Sequence, residues 1–362
     1  PGIHGEQAIP LRAVSAGEWM VESIVGVDME KDAVYVTGTF DSPLERHLYA
    51  LPLLNRRLLS QDPSDAADDN GMRRGLTKVM HALSGKGNGR SGRVQDAIWS
   101  SMRPLRLTIE AGMHSIVMDE SCQIFVDTSS DLDRPTSSRI YELPYEIWDS
   151  STPLSLKLIY TLFDAIHEDN SLSALPLGQP QLDGLPSGAR LLASLPPPEL
   201  ISFPTSDGAE TLHAAVYRPN PRIFGPGPYP LVCAVYGGPH VQRVNRSWSQ
   251  CADMRAQRLR SLGFCVVKCD NRGSSRRGIV FESAISRRLG RLEVLDQVAA
   301  VRQLTLRGIV DSSRVGVYGW SYGGYLAAMC MARAPDVFSC GVSGAPVTSW
   351  DGYDTHYTER YM

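Results

Sequence analysis

The sequence predicts an α/β domain on a doubly wound, mostly parallel sheet, preceded by a region of antiparallel β-structure. Two observations carry this reading. From residue 13 to about 143 the chain shows short, alternating, β-branched and aromatic segments separated by turn residues. After about residue 196 the pattern becomes near-continuous apolar runs ending in Gly, Asp or Pro, with helical patterns between them.

The first region contains Ala33-Val34-Tyr35-Val36-Thr37-Gly38, His47-Leu48-Tyr49-Ala50-Leu51, Gln123-Ile124-Phe125-Val126 and Arg139-Ile140-Tyr141-Glu142-Leu143. Asp41-Ser42-Pro43 and Asp131-Leu132-Asp133 supply turns, so the region reads as an antiparallel meander. These strands are too few for a closed all-β domain. They fit the last one or two blades of a β-propeller, with the rest of the ring expected upstream of Pro1. Residues 60–101, rich in Asp, Ser, Gly and Arg, read as a solvated, disordered insertion. A basic interaction loop using Arg73, Arg74, Lys86, Arg90 and Arg93 is the sharper reading, but the scattered charge of both signs fits a plain linker better.

The run Leu195-Pro196-Pro197-Pro198 marks a domain boundary, giving a β-region over 1–195 and an α/β region over 196–362. Tyr229 to Tyr236, Gly263 to Asp270, Arg314 to Gly319 and Ser339 to Gly344 read as parallel strands covered on both faces. Leu289 to Leu306 and Tyr322 to Ala334 carry the helical period, which completes the βαβ alternation.

Composition narrows the function. With 362 residues, 43% hydrophobic and 21% charged, the chain is long enough to bury a sizeable core. A formal net charge of -3 gives no electrostatic reason to expect nucleic acid or an anionic membrane. No apolar run approaches the roughly 18 residues a membrane helix needs, and no export signal is visible at Pro1-Gly2-Ile3-His4. A start at Pro rather than Met reads as an internal fragment. Seven cysteines, with Cys233, Cys265, Cys269, Cys330 and Cys340 in or beside apolar runs, suit buried thiols and a reducing, cytoplasmic compartment. Neither a metal-binding nor a redox CxxC pair occurs, so no metal and no cofactor is expected.

The chemistry centres on Gly319-Trp320-Ser321-Tyr322-Gly323, a GxSxG sequence that follows a predicted strand and precedes a predicted helix. That context is a nucleophile elbow, in which a sharp turn exposes the serine Oγ beside a helix N-terminus. An acyl-transfer site also needs donors for the developing oxyanion. The N–H of Tyr322 is one candidate, and the hydroxyl of Tyr236, in Tyr236-Gly237-Gly238-Pro239 at the end of an earlier strand, is a second. Taken alone, a tyrosine ending a strand is more often a packing residue than a catalyst.

Tyr236-Gly237-Gly238-Pro239, Asp270-Asn271-Arg272-Gly273-Ser274, Gly319 to Tyr325 and Tyr357-Thr358-Glu359-Arg360-Tyr361-Met362 occur together and in this order. The chain resembles the dipeptidyl peptidase subgroup of the prolyl oligopeptidase family over most of its length. Ser42-Pro43-Leu44-Glu45-Arg46-His47-Leu48-Tyr49, Gly237 to Gln242 and Ala345 to Met362 resemble its cytosolic type. The resemblance implies an α/β-hydrolase domain behind a propeller, a homodimer, and cleavage of peptides after a penultimate Pro or Ala. It implies Ser321 as nucleophile, Tyr236 and the Tyr322 N–H as the oxyanion hole, and Val347, Trp350, Tyr353 and Tyr357 with Tyr322 as the S1 pocket. An aromatic-walled slot of that kind suits a pyrrolidine ring or a methyl group. Without the resemblance, Trp350, Tyr353 and Tyr357 fit an ordinary aromatic helix face.

Two features of the family are not found. The acidic pair that holds a substrate amino terminus has no counterpart, since Glu18, Glu22, Glu30 and Glu45 are isolated and read as solvated charges. In this fold the triad runs Ser, Asp, His, and the Asp and His are expected beyond Met362. His356, Asp351 and Asp354 lie in the S1-like segment, and His114, His167, His213 and His240 precede the serine. An acylaminoacyl peptidase or esterase, or a truncated non-catalytic interaction protein on the same scaffold, are the competing readings.

Overall fold

The computed structural model describes residues 15, 17–53, 103–148, 155–165 and 195–362. The insertion read at 60–101 lies outside the described residues. Strands β1 (Val21–Asp28), β2 (Ala33–Gly38), β3 (His47–Pro52) and β4 (Leu105–Arg106) form one four-stranded antiparallel sheet. Strands β5 (Met113–Met118), β6 (Ile124–Ser130), β7 (Ser137–Glu142) and β8 (Lys157–Asp164) form a second. Side chains alternate between the faces of a strand, so Ala33, Tyr35, Leu48 and Ala50 of the first sheet share one buried cluster with Ile116 and Phe125 of the second. Stacked meanders of this kind are the arrangement of neighbouring propeller blades.

The remaining strands are β9 (Glu199–Pro204), β10 (Thr211–Tyr217), β11 (Tyr229–Val235), β12 (Cys265–Asp270), β13 (Val310–Trp320) and β14 (Cys340–Gly344). They form one sheet in the order β14-β13-β11-β12-β10-β9. The four strands from β11 to β14 are parallel, so their carboxyl ends meet along one edge. Strands β9 and β10 are antiparallel to what they pair with, and the sequence reading did not anticipate them. Helix α1 (Met254–Ser261) covers one face, while α2 (Leu292–Leu306) and α3 (Tyr322–Arg333) cover the other. Period-two alternation sorts the strands between these layers. Leu231, Cys233 and Val235 point to the α2/α3 side, and Ala234 points to the α1 side. A last helix, α4 (Thr355–Tyr361), follows β14, its first turn capped by Asp354, which accepts the Tyr357 N–H at 2.9 Å.

Two expectations are corrected. Glu22 and Glu45 are not solvated charges: Glu22 pairs with Arg276 and Arg46, and Glu45 with His47 at 2.8 Å and Arg246 at 3.2 Å. Arg276 and Arg46 for Glu22, and Arg246 for Glu45, lie far away in sequence, which is why local composition did not disclose those pairs. Cys340 is exposed, because it lies on β14 at the edge of the sheet, while the other six cysteines are buried.

Arg272 fastens the end of β12 to α2. Its Nη2 and Nε donate to Asp296 at 2.7 and 3.1 Å, and its backbone N–H donates to the same carboxylate at 2.9 Å. The hydrogen bonds to Asp296 raise the Arg272 pKa and hold it charged. Asp296 is fully buried, so removing its charge leaves a guanidinium short of a partner. Asp296→Asn is expected to destabilise the protein by about 3–5 kcal/mol, measured as a lower urea midpoint at unchanged slope.

Candidate active site

Strand β13 ends at Trp320 and α3 begins at Tyr322, leaving Ser321 alone in the turn. Its backbone sits at φ 58°, ψ −121°, a region sparsely populated by non-glycine residues that costs about 1–3 kcal/mol. The turn is held from both sides. Ser321 N–H donates to Gly344 O at 3.0 Å, and its carbonyl accepts Tyr325 N–H at 3.1 Å. A Cβ on Gly319 would overlap the Gly323 carbonyl, and one on Gly323 would overlap the carbonyl of Val235. Both glycines of the pentapeptide are therefore required by close backbone approach.

Tyr236 follows β11, and Val235 is paired in register with Gly319, so the tyrosine and the serine leave adjacent strands at the same edge. Ser321, Tyr236, Tyr322, Val347, Trp350, Tyr353 and Tyr357 together line one narrow cleft. Ring geometry orders its walls: Tyr236 and Tyr322 lie 6.0 Å apart between centroids, Tyr322 and Trp350 5.6 Å, and Trp350 stacks on Tyr357 at 6.1 Å and 7°. Tyr353 meets Tyr357 edge to face at 5.4 Å. Such pairs hold a flat slot without any charged lining.

Tyr322 has two separate attachments. Its N–H is one of the N-terminal donors of α3 with no acceptor inside the helix, and its hydroxyl donates to Glu293 Oε1 at 2.8 Å. Glu293 is fully buried and also accepts the N–H groups of Gly290 and Arg291 at 2.8 and 3.0 Å. Burial raises the Glu293 pKa, against those hydrogen bonds, and burial likewise raises that of Tyr322. The sequence reading missed Glu293, which stands 29 positions before the tyrosine it orients. Burial also raises the Tyr236 pKa, keeping its hydroxyl a proton donor. Among the described residues the Tyr236 hydroxyl and the Ser321 Oγ have no hydrogen-bond partner.

The described histidines are engaged elsewhere or exposed. His114 bonds Asp127 at 2.8 Å, His213 bonds Ser202 at 2.8 Å, and His240 faces Glu282 at 3.2 Å. His356 lies on the exposed side of α4, and the Asp354 carboxylate is used as its cap. No described histidine serves as base to Ser321. Among the described residues no cluster of His, Cys, Asp or Glu could hold a metal ion, and no helix is long and apolar enough to cross a membrane.

The prolyl oligopeptidase family profile matches residues 250–362, which include the elbow and every residue of the aromatic cleft but Tyr236. Residues 250–362 belong to the prolyl oligopeptidase family. A profile of the dipeptidyl peptidase IV N-terminal region matches residues 4–72, in keeping with propeller blades ahead of an α/β-hydrolase domain. Human dipeptidyl peptidase 8 is 33% identical over 356 residues, 97% of this chain and 32% of that protein. The mouse protein of the same name is 33% identical over 96% of this chain and 32% of its own length. Pig dipeptidyl peptidase 4 is 44% identical over 139 residues, 37% of this chain and 17% of that protein. The chain thus spans about a third of the dipeptidyl peptidase 8 proteins it matches.

Beside the family site, Asp270 secures the loop after Tyr236 by accepting the N–H groups of Arg243 and Val244 at 2.8 and 2.9 Å. Burial pushes its carboxyl up to about 6, the two backbone bonds only partly opposing this. A carboxyl raised above its unfolded value binds its proton more tightly in the fold, so stability is lost as pH climbs from the unfolded pKa to the folded one. The stability difference between wild type and Asp270→Asn should therefore shrink by about 2 kcal/mol between pH 4 and pH 6 and level off above about pH 7. Urea titrations of both proteins across that range measure it.

Proposed function

We propose that the protein is a serine peptidase that releases dipeptides after a penultimate Pro or Ala, with Ser321 as nucleophile. The observation that carries this is the single cleft in which Ser321, Tyr236 and four uncharged aromatic or aliphatic side chains of residues 347–357 converge. In this reading Ser321 Oγ attacks the P1 carbonyl, and negative charge develops on the carbonyl oxygen. The Tyr322 N–H and the Tyr236 hydroxyl, both without acceptors, donate to it. The serine proton passes to a histidine, oriented by an aspartate, that follow Ser321 in chain order; both are proposed to lie outside the residues given. The histidine returns that proton to the leaving amine as the peptide C–N bond breaks, leaving the acyl-enzyme, which water hydrolyses in a second, similar step.

Specificity follows from what the slot lacks. Val347, Trp350, Tyr353 and Tyr357 offer a P1 side chain no charge to pair with, and their packed rings leave no room for a bulky one. A pyrrolidine ring or a methyl buries apolar surface there without desolvating a charge. Homodimerisation is proposed on the family resemblance. A cytoplasmic location is proposed on the seven cysteines, all unpaired.

Two outcomes test the reading in the full-length protein. Ala-Pro-amide hydrolysis should vanish in Ser321→Ala, and a dipeptide-amide series should show preference for Pro and Ala at P1. Preference for Lys or Arg at P1 would contradict the assigned pocket. Tyr236→Phe should lower kcat by roughly ten- to a thousand-fold with little change in KM, as loss of one oxyanion donor does in other hydrolases. Unchanged turnover would return Tyr236 to a packing role.

A further inference from the structure

Residues 270–276, the Asp-Asn-Arg-Gly-Ser motif and the two residues after it, begin at the last residue of β12, at the edge where Tyr236 leaves β11. They hold the tyrosine's loop at successive points. Asp270 accepts the Arg243 and Val244 N–H groups, and Asn271 Nδ2 donates to Gly237 O at 3.0 Å. Ser275 N–H donates to Val241 O at 3.4 Å, and Arg276 Nη1 donates to Gln242 Oε1 at 2.9 Å. The segment is itself fixed from behind, by Arg272 on Asp296 and by Gln297 Nε2, which donates to Asn271 Oδ1 at 3.0 Å.

Arg276 extends this support to the first antiparallel sheet. It is buried at φ 74°, a backbone conformation uncommon outside glycine. Its Nε donates to Glu22 Oε1 on β1 at 2.9 Å, and its Nη2 forms an ion pair with the same carboxylate. Gln242, whose carbonyl Arg276 holds, donates from Nε2 to Pro43 O in the β2–β3 connection at 2.6 Å. A glutamate of the β-region, a buried guanidinium and a carboxamide of the Tyr236 loop therefore form one continuous path.

We propose that residues 270–276 are a cradle that fixes the Tyr236 loop, and that the Glu22–Arg276–Gln242 contact makes the antiparallel sheet part of it. Glu22, Asn271 and Arg276 are then positioning residues. A hydroxyl that must donate to a transient oxyanion loses most of its effect when displaced by a fraction of an ångström. The sheet that carries Glu22 thereby influences the rate of acyl transfer without touching substrate. This effect on rate rests on the oxyanion role proposed for Tyr236; the effect on the loop does not.

The test joins amide hydrogen exchange to kinetics in the full-length protein. Glu22→Gln keeps the shape and removes the charge, and it should speed exchange in residues 237–244 by about tenfold while leaving α2 unchanged. Gln242→Met, which keeps the ion pair, should give the same loop-confined change. Hydrolysis of Ala-Pro-amide by Glu22→Gln should show kcat lowered about tenfold with KM within twofold, and this loss should disappear in a Tyr236→Phe background. Loop exchange unchanged in both variants, or raised equally in α2, would overturn the proposal. Faster loop exchange together with full turnover by Tyr236→Phe would support the cradle and remove instead the oxyanion role of Tyr236.

Discussion

The backbone of Ser321, held at φ 58° and ψ −121° between a strand and a helix, is the constraint on which the rest of the site depends. Strain of this kind persists only where its surroundings over-determine it. Here the β14 carbonyl of Gly344, the first turn of α3 and two glycines that permit backbone contact all fix the same turn. Because the turn ends β13, the serine is placed at the carboxyl edge of the sheet, where β11 delivers Tyr236 and β14 delivers the segment carrying Val347 to Tyr357. In open parallel sheets that edge is where ligands bind. The proposed nucleophile, oxyanion donors and P1 walls thus come from three strand ends and one helix start.

Charge is buried around this edge in pairs. Arg272 with Asp296, Lys268 with Asp253 at 2.6 Å and Arg276 with Glu22 each place a cation on or next to β12 against an acid from another element. Such pairs often contribute little net stability compared with a well-packed apolar replacement, but they are costly to break and they specify geometry. That suits a site whose working parts come from separate elements. Lys268 and Asp253 settle the start of α1, Arg272 and Asp296 settle α2, and Arg276 reaches the antiparallel sheet.

Much of this was legible from residue pattern. The apolar runs at Gly263 to Asp270 and Ser339 to Gly344 became β12 and β14, and the helical pattern from Tyr322 became α3. Runs covered on both faces leave an unambiguous signal, and a GxSxG between strand and helix has few other uses. Strands β9 and β10 escaped notice because Glu199–Pro204 follows a proline run and is short and alternating, unlike the parallel strands it accompanies. Strand β8 escaped too, its apolar side chains being largely exposed. Glu22, Glu293 and the contact of Glu45 with Arg246 were invisible for a different reason: a carboxylate gains such a role from a partner brought close only by folding, and sequence records no such distance. The clustering of the seven site residues was foreseen only through the family resemblance, since rings at Trp350, Tyr353 and Tyr357 read by periodicity alone describe any aromatic helix face.

The proposed chemistry requires Ser321 to be an activated nucleophile, and covalent trapping tests that most directly. The full-length protein, treated with a fluorophosphonate and digested, should carry one phosphonyl adduct on the peptide containing Ser321, and that adduct should be absent from Ser321→Ala. A folded protein that acquires no adduct at Ser321, or that is labelled equally when Ser321 is replaced by alanine, would contradict it.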